Sequence, residues 1–414
     1  MQPIEDIVYK LLEGLTIVEA TSFVASPSAG LYLAQLGAEV IRVDQIGGGP
    51  DYHRWPKAED GSSFYWEGLN KSKKSLAVDY RSAEGRELVQ KLATARGENC
   101  GILLTNFPAD GFLSYEALKT LRDDVIVARV MGQANGGPAF DYTVNCAIGY
   151  PQITGPASMG DEPVNHVMPA WDLLAGAYAS FSLVSAERHR RLTGTGNEIR
   201  IPLTDLGIAT IGNLGQIGEI MMTGENRPRY GNDVYGVFGR DFVTADGRRI
   251  MIMAISARQW RGLIEALDIS EDVKRIETDR GVSFAKDEGI RFEHRDVLVP
   301  LVESKVAARQ FSEVTQAFDK TGACWGAYQS MKEAVHDDAL VKDNPIFSTI
   351  DHPSGRSYPA AGSIATIPNE ARGAPIAAPQ LGRDTREILG GLLGYSTATT
   401  DDLIERNIVS VAGE

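Results

Sequence analysis

The amino-acid sequence predicts an α/β protein, a doubly wound, mainly parallel sheet in a large domain with a smaller α+β domain beside it. Apolar strand segments recur between helical patterns, turn signals are spread along the chain, and the pattern changes near residue 230. The length of 414 residues, with 43% hydrophobic and 23% charged, permits a large core without disulfide or metal staples.

The first strand is read at 15–18, followed by a helix entered at Pro27-Ser28 and stopped at Gly37, then a second strand at 40–44. An acid ends that second strand, which invites a dinucleotide-binding reading. The loop at 21–26 lacks GxGxxG, and Gly47-Gly48-Gly49 come too late in the unit, so that reading is set aside. Further apolar strands follow at 75–79, 101–105 and 125–130, the first two separated by a helix over 83–95.

Beyond residue 230 the pattern becomes antiparallel. Segments 241–245 and 249–253 flank Asp246-Gly247, a hairpin signal, and Ser256 opens an amphipathic helix carrying Trp260, Leu263 and Leu267. The large domain is therefore expected over 1–225, the smaller one over 226–335, and a completing C-terminal segment over 336–414. That last segment is read as a Pro- and Gly-rich stretch, a helix over 383–393 and another from Asp401.

Lys and Arg number 41 against 55 Asp and Glu, an excess of acid that argues against nucleic acid as a partner. Three cysteines without a CxxC pair fit neither a disulfide framework nor a zinc site, so a cytoplasmic location and no metal are expected. No export signal is read in Met1 to Asp6, and no apolar run is long enough to span a membrane.

Walker A, HExxH and GxSxG sequences are missing, and the six histidines form no helical pair. What remains is Pro169-Ala170-Trp171-Asp172 at the start of a helix through Leu174, Tyr178 and Phe181. The unpaired N–H groups of a first turn favour an ionised Asp172. An acid at that place is commonly a simple helix-terminal charge, and position alone favours that reading. His166 and the lysines of 71–74 carry equally plain explanations as hydrogen-bonded and solvated residues.

Taken in order, AQLGAEVIRVD at 34–44, LNKSKKSLAVD at 69–79, TNF at 105–107, PAWDLLAGAYA at 169–179 and APQLGRDTREIL at 378–389 resemble the class III CoA-transferase family. The resemblance spans almost the whole chain. It implies a Rossmann-like large domain, an interlocked homodimer, an acyl-CoA substrate and no cofactor beyond the CoA moiety of that substrate. It also reverses the plain reading of Asp172, which becomes the nucleophile of a ping-pong route through a mixed anhydride and an aspartyl-CoA thioester.

By the same match, Val24 and Ala25 line the thioester end of CoA, Lys73 sits near its phosphates with Arg42 as a weaker candidate, and Asn106 and Phe107 border the pantetheine or adenine. Val24, Gln45 and Ser114 stand where the formyl-CoA branch carries a glutamine and two arginines, which argues against oxalate or formate. The racemase branch has a histidine in the region matching Asp141-Tyr142, so α-proton abstraction is a weaker alternative. Segments 23–30, 46–56, 141–145, 165–172 and 227–242 resemble a carbon-fixation branch that moves CoA between the two carboxylates of one C5 dicarboxylate. Asp141, Tyr142 and His166 are expected to line the acyl pocket of that branch; transfer to a separate free acid is the other alternative.

Overall fold

A computed structural model describes residues 9–413, so the reading of Met1 to Asp6 lies outside the described residues. The chain divides into two compact units, one of Met1–Ile148, His166–Gly224 and Asn344–Glu414, the other of Gly149–Asn165 and Glu225–Asp343. The large-domain stretch expected over 1–225 took in residues 149–165, which fall in the second unit.

In the larger unit, six strands run parallel: β1 (Thr16–Ala20), β2 (Glu39–Asp44), β3 (Lys74–Val78), β4 (Ile102–Thr105), β5 (Ile126–Met131) and β6 (Glu198–Pro202). Their spatial order is β3-β2-β1-β4-β5-β6, the doubly wound order whose direction reverses between β1 and β4. The strands are rich in Val, Ile and Leu because helices cover both faces. One continuous core links Val18, Ile41, Leu76, Leu103 and Val127 to Leu88, Leu118 and Leu389.

The chain end closes this sheet. Val409–Ser410 pairs antiparallel with β3, an edge strand too short to be read from periodicity. The final helix spans Thr397–Glu405, with Asp401 inside it and Ser396 at its start. Ser396 Oγ accepts the Thr399 N–H at 3.1 Å, and this hydroxyl cap, earlier in the chain, sets the boundary. Phe347–Asp351 and Ser357–Ala361 form an antiparallel hairpin inside the stretch read as irregular.

The smaller unit holds a three-stranded antiparallel sheet of Phe238–Val243, Arg249–Ala254 and Cys324–Ala327, with the expected hairpin at its centre. Trp260 on the helix Ala257–Ala266 packs with Phe238, Phe284 and Phe318 in a separate core. Among the described residues no helix is long and apolar enough to cross a membrane.

Candidate active site

The reversal point between β1 and β4 creates a crevice, and side chains at the two strand exits fix its floor. Asn106, just past β4, accepts the Ser22 N–H at 3.2 Å and donates to the Ser22 carbonyl at 3.0 Å. Thr105 Oγ1 donates to the Ala20 carbonyl at 2.8 Å. Between them Phe23 adopts φ 68°, a left-handed conformation costly for a bulky side chain and characteristic of functional loops. Helix α1 (Ala25–Gln35) starts immediately afterwards, capped by no side chain. The first-turn N–H groups of Ala25 and Ser26 have no intrahelical acceptor.

The long helix Ala170–Thr193 lies tightly against α1. A Cβ on Gly176 would stand 2.0 Å from Ser28 Oγ and 2.6 Å from the Ala25 carbonyl, so only glycine permits this approach. Ser180 Oγ donates to the Ala29 carbonyl at 3.2 Å. This contact brings Asp172, one turn before Gly176, to the cavity that Val24 and Ala25 also line. The cavity holds about 760 Å³ and is bordered as well by Asn106, Phe107, Asp141 and Tyr142. A neighbouring space of about 600 Å³ shares Asn106 and Phe107 and extends past Arg129.

Burial pushes the Asp172 carboxyl up to about 6, the Asp141 charge adds to the rise, and the Arg54 guanidinium opposes it. Burial thus outweighs the charge-favouring helix start that the sequence suggested. At neutral pH the carboxylate is still mostly ionised. Among the described residues no donor hydrogen-bonds its oxygens, which leaves the carboxylate with uncommitted lone pairs.

Asp141, Tyr142 and His166 come together around the start of the same helix. The buried Asp141 carboxylate accepts the N–H groups of Trp171 at 2.7 Å and Asp172 at 3.1 Å through one oxygen. Its other oxygen meets His166 Nε2 at 2.6 Å. The Tyr142 hydroxyl donates to the Val167 carbonyl at 3.2 Å, and its ring meets that of His166 edge-on at 5.3 Å. Asp141 and Tyr142 line the cavity, whereas His166 stands behind Asp141.

Arg42 and Lys73 are placed elsewhere, and the expectation of phosphate ligands at these positions is corrected. Both side chains are buried and satisfied internally. Lys73 Nζ donates to Glu19 at 3.0 Å, the Pro27 carbonyl at 2.8 Å and Asn70 at 3.0 Å. Arg42 pairs with Glu19 at 3.0 Å and with Asp44 and Asp51 at 2.9 Å each. Burial pulls the Lys73 ammonium down to about 8 against the pull of Glu19. These cations anchor β1, β2 and β3 to α1.

Two cavity residues were not singled out from the sequence. Arg54 lies over the rings of Phe23 and Tyr65, 5.3 Å from each centroid. Among the described residues the buried Tyr65 hydroxyl has no hydrogen-bond partner, and burial pushes its pKa up to about 12, which keeps it a proton donor. The segment holding Arg54 was noticed only for its similarity, because a single arginine in a loop has no periodicity to mark it. Among the described residues no cluster of three His, Cys, Asp or Glu side chains could hold a metal ion.

Residues 12–385 match the model of CoA-transferase family III. The chain is 43% identical over 402 residues to the 2-methylfumaryl-CoA isomerase of Chloroflexus aurantiacus, covering 97% of this chain and 98% of that protein. It is 26% identical to the human succinyl-CoA:glutarate CoA-transferase over 97% of this chain and 90% of the relative. A CaiB/BaiF family protein from Brucella suis superposes with a TM-score of 0.72 at 25% identity, over 92% of this chain and 99% of that one.

Proposed function

Because the chain belongs to CoA-transferase family III, we propose that this enzyme moves CoA between the C1 and C4 carboxylates of 2-methylfumaryl-CoA through Asp172. The observation that carries the reading is Asp172 itself, in the cavity beside α1, half-buried and, among the described residues, free of hydrogen-bond donors on its oxygens. The 43% identical relative supplies the acyl group.

The Asp172 carboxylate attacks the thioester carbon, the C–S bond breaks, and CoA leaves as the thiolate with the bonding pair. The thiolate attacks the aspartyl carbonyl of the resulting anhydride and expels the substrate carboxylate, giving an Asp172–CoA thioester and free methylfumarate. The other carboxylate of that molecule then repeats both steps in reverse. N–H groups at the start of α1, at Ala25 and Ser26, are suited to donate hydrogen bonds to the tetrahedral oxyanions. Asp141 holds the Trp171 and Asp172 amides and so fixes where the nucleophile stands. Val24 and Ala25 would border the thioester, and Asn106 and Phe107 the pantetheine chain.

An interlocked homodimer in the cytoplasm fits the same reading. Leu174, Tyr178 and Phe181 of the long helix and Met221 and Met222 are exposed, an apolar surface that a second copy would cover. Transfer to a separate acid is the second reading, supported by the succinyl-CoA:glutarate relative. Incubation with 2-methylfumaryl-C1-CoA and labelled free methylfumarate separates the two. Unlabelled C4 isomer is the expected product; labelled C4 isomer means intermolecular transfer, and no C4 isomer overturns the assignment of the acyl group.

A further inference from the structure

Arg54 is the one lysine or arginine among the residues lining the Asp172 cavity. Among the described residues its guanidinium makes no ion pair, in contrast to the paired Arg42 and Lys73. It is held instead by two aromatic faces, and one of these, Phe23, keeps its ring there at the expense of a left-handed backbone. A braced cation outside any ion pair among the described residues, in a cavity it shares with Asp141 and Asp172, is suited to receive an anionic group of the ligand.

We propose that Arg54 binds the second carboxylate of the acyl group, the one not in thioester linkage. The site then selects acyl-CoAs of dicarboxylic acids, and Arg54 retains the displaced dicarboxylate while CoA rests on Asp172. This deepens the reading of Asp172 as CoA acceptor and rests on it. The chemistry requires such a group. The substrate brings a free carboxylate into a cavity already holding Asp141 and Asp172, and a fixed guanidinium offsets that repulsion. During the half-reaction the free dicarboxylate carries two charges, and pairing with Arg54 delays its escape.

The test compares 2-methylfumaryl-CoA with 2-methylcrotonyl-CoA, which lacks the second carboxylate, by hydroxylamine capture of the aspartyl thioester and peptide mass spectrometry. Arg54→Gln is expected to slow capture with 2-methylfumaryl-CoA by about 30-fold or more, in the range of a lost charged hydrogen-bonded pair. With 2-methylcrotonyl-CoA the rate should change by less than about 3-fold, a difference too small for a lost ion pair. If 2-methylcrotonyl-CoA yields no adduct on the wild type, its inhibition constant against 2-methylfumaryl-CoA is compared instead. Arg54→Lys should recover part of the lost rate. Labelled methylfumarate should also enter the C4 isomer in the glutamine variant, as the retained acid leaks. An equal fall with both thioesters, pointing to a CoA contact or a folding defect, or no fall with either, overturns the proposal. A wild-type enzyme that forms no Asp172 adduct with either overturns the acceptor reading, and the proposal with it.

Discussion

Two polar clusters lie at the same end of the parallel sheet, and they differ in whether their charges are spent. The first, Glu19, Arg42, Asp44, Asp51, Asn70 and Lys73, is buried, and both its cations are paired. Burial works against the Arg42 charge, yet the three carboxylates outweigh it and push the guanidinium pKa up. The second, around Asp172, opens on a cavity of about 760 Å³ and, among the described residues, leaves Asp172 without a hydrogen-bond donor on its oxygens and Arg54 without an ion pair. Full pairing yields stiffness, whereas unpaired charge beside open space yields reactivity. Residue type does not separate the two clusters; accessibility and pairing do.

The comparison breaks most visibly through loss of one residue from each cluster. Asp172→Asn should lower the isomerisation kcat by roughly 10³-fold or more, since Asp141, the other carboxylate lining the cavity, has both oxygens hydrogen-bonded. Lys73→Ala should instead cost about 3–5 kcal/mol of stability by leaving Glu19 buried with one partner fewer. Chemical denaturation reads this loss, and KM of the fraction that stays folded should be unchanged. Gly176→Ala forces the long helix away from α1, for about 1–3 kcal/mol and a fall in kcat greater than that in stability alone.

The remaining effects are read from pH. Asp172 must be ionised to attack, so the rate at saturating substrate should fall about tenfold per pH unit below about 6. Stability carries the opposite sign. The folded state holds the proton more tightly than the unfolded chain, whose carboxyl titrates near 3.8, so burying Asp172 costs nothing below that value and costs stability as pH rises through about 6. Asp172→Asn should therefore gain up to about 3 kcal/mol at pH 7.5, a gain that thermal unfolding below about pH 4 should not show. An equal gain at both values would mean that Asp172 is not buried as described.

Five of the six parallel strands were legible because each is a largely apolar run bounded by turn residues, as in Val40-Ile41-Arg42-Val43; Glu198–Pro202, with charged side chains at Glu198 and Arg200, was not read. That same run hid the fate of Arg42, since periodicity gives a side chain's face and not its partner. Lys73 failed for the same reason: Glu19 lies 54 residues away and meets it only once β1 and α1 are packed. Asp172 could be placed at a helix start from Pro169 and the apolar spacing behind it, but its reactivity depends on Gly176 and on Asp141, a contact 31 residues distant. Val409–Ser410 is two residues long and had no pattern to read.

The account stands on Asp172 as the group that receives CoA. Wild-type enzyme mixed with 2-methylfumaryl-CoA, treated with hydroxylamine and digested should yield the hydroxamate of Asp172, and Asp172→Asn should yield none. Turnover without modification of Asp172, or a hydroxamate on another carboxylate, would contradict it.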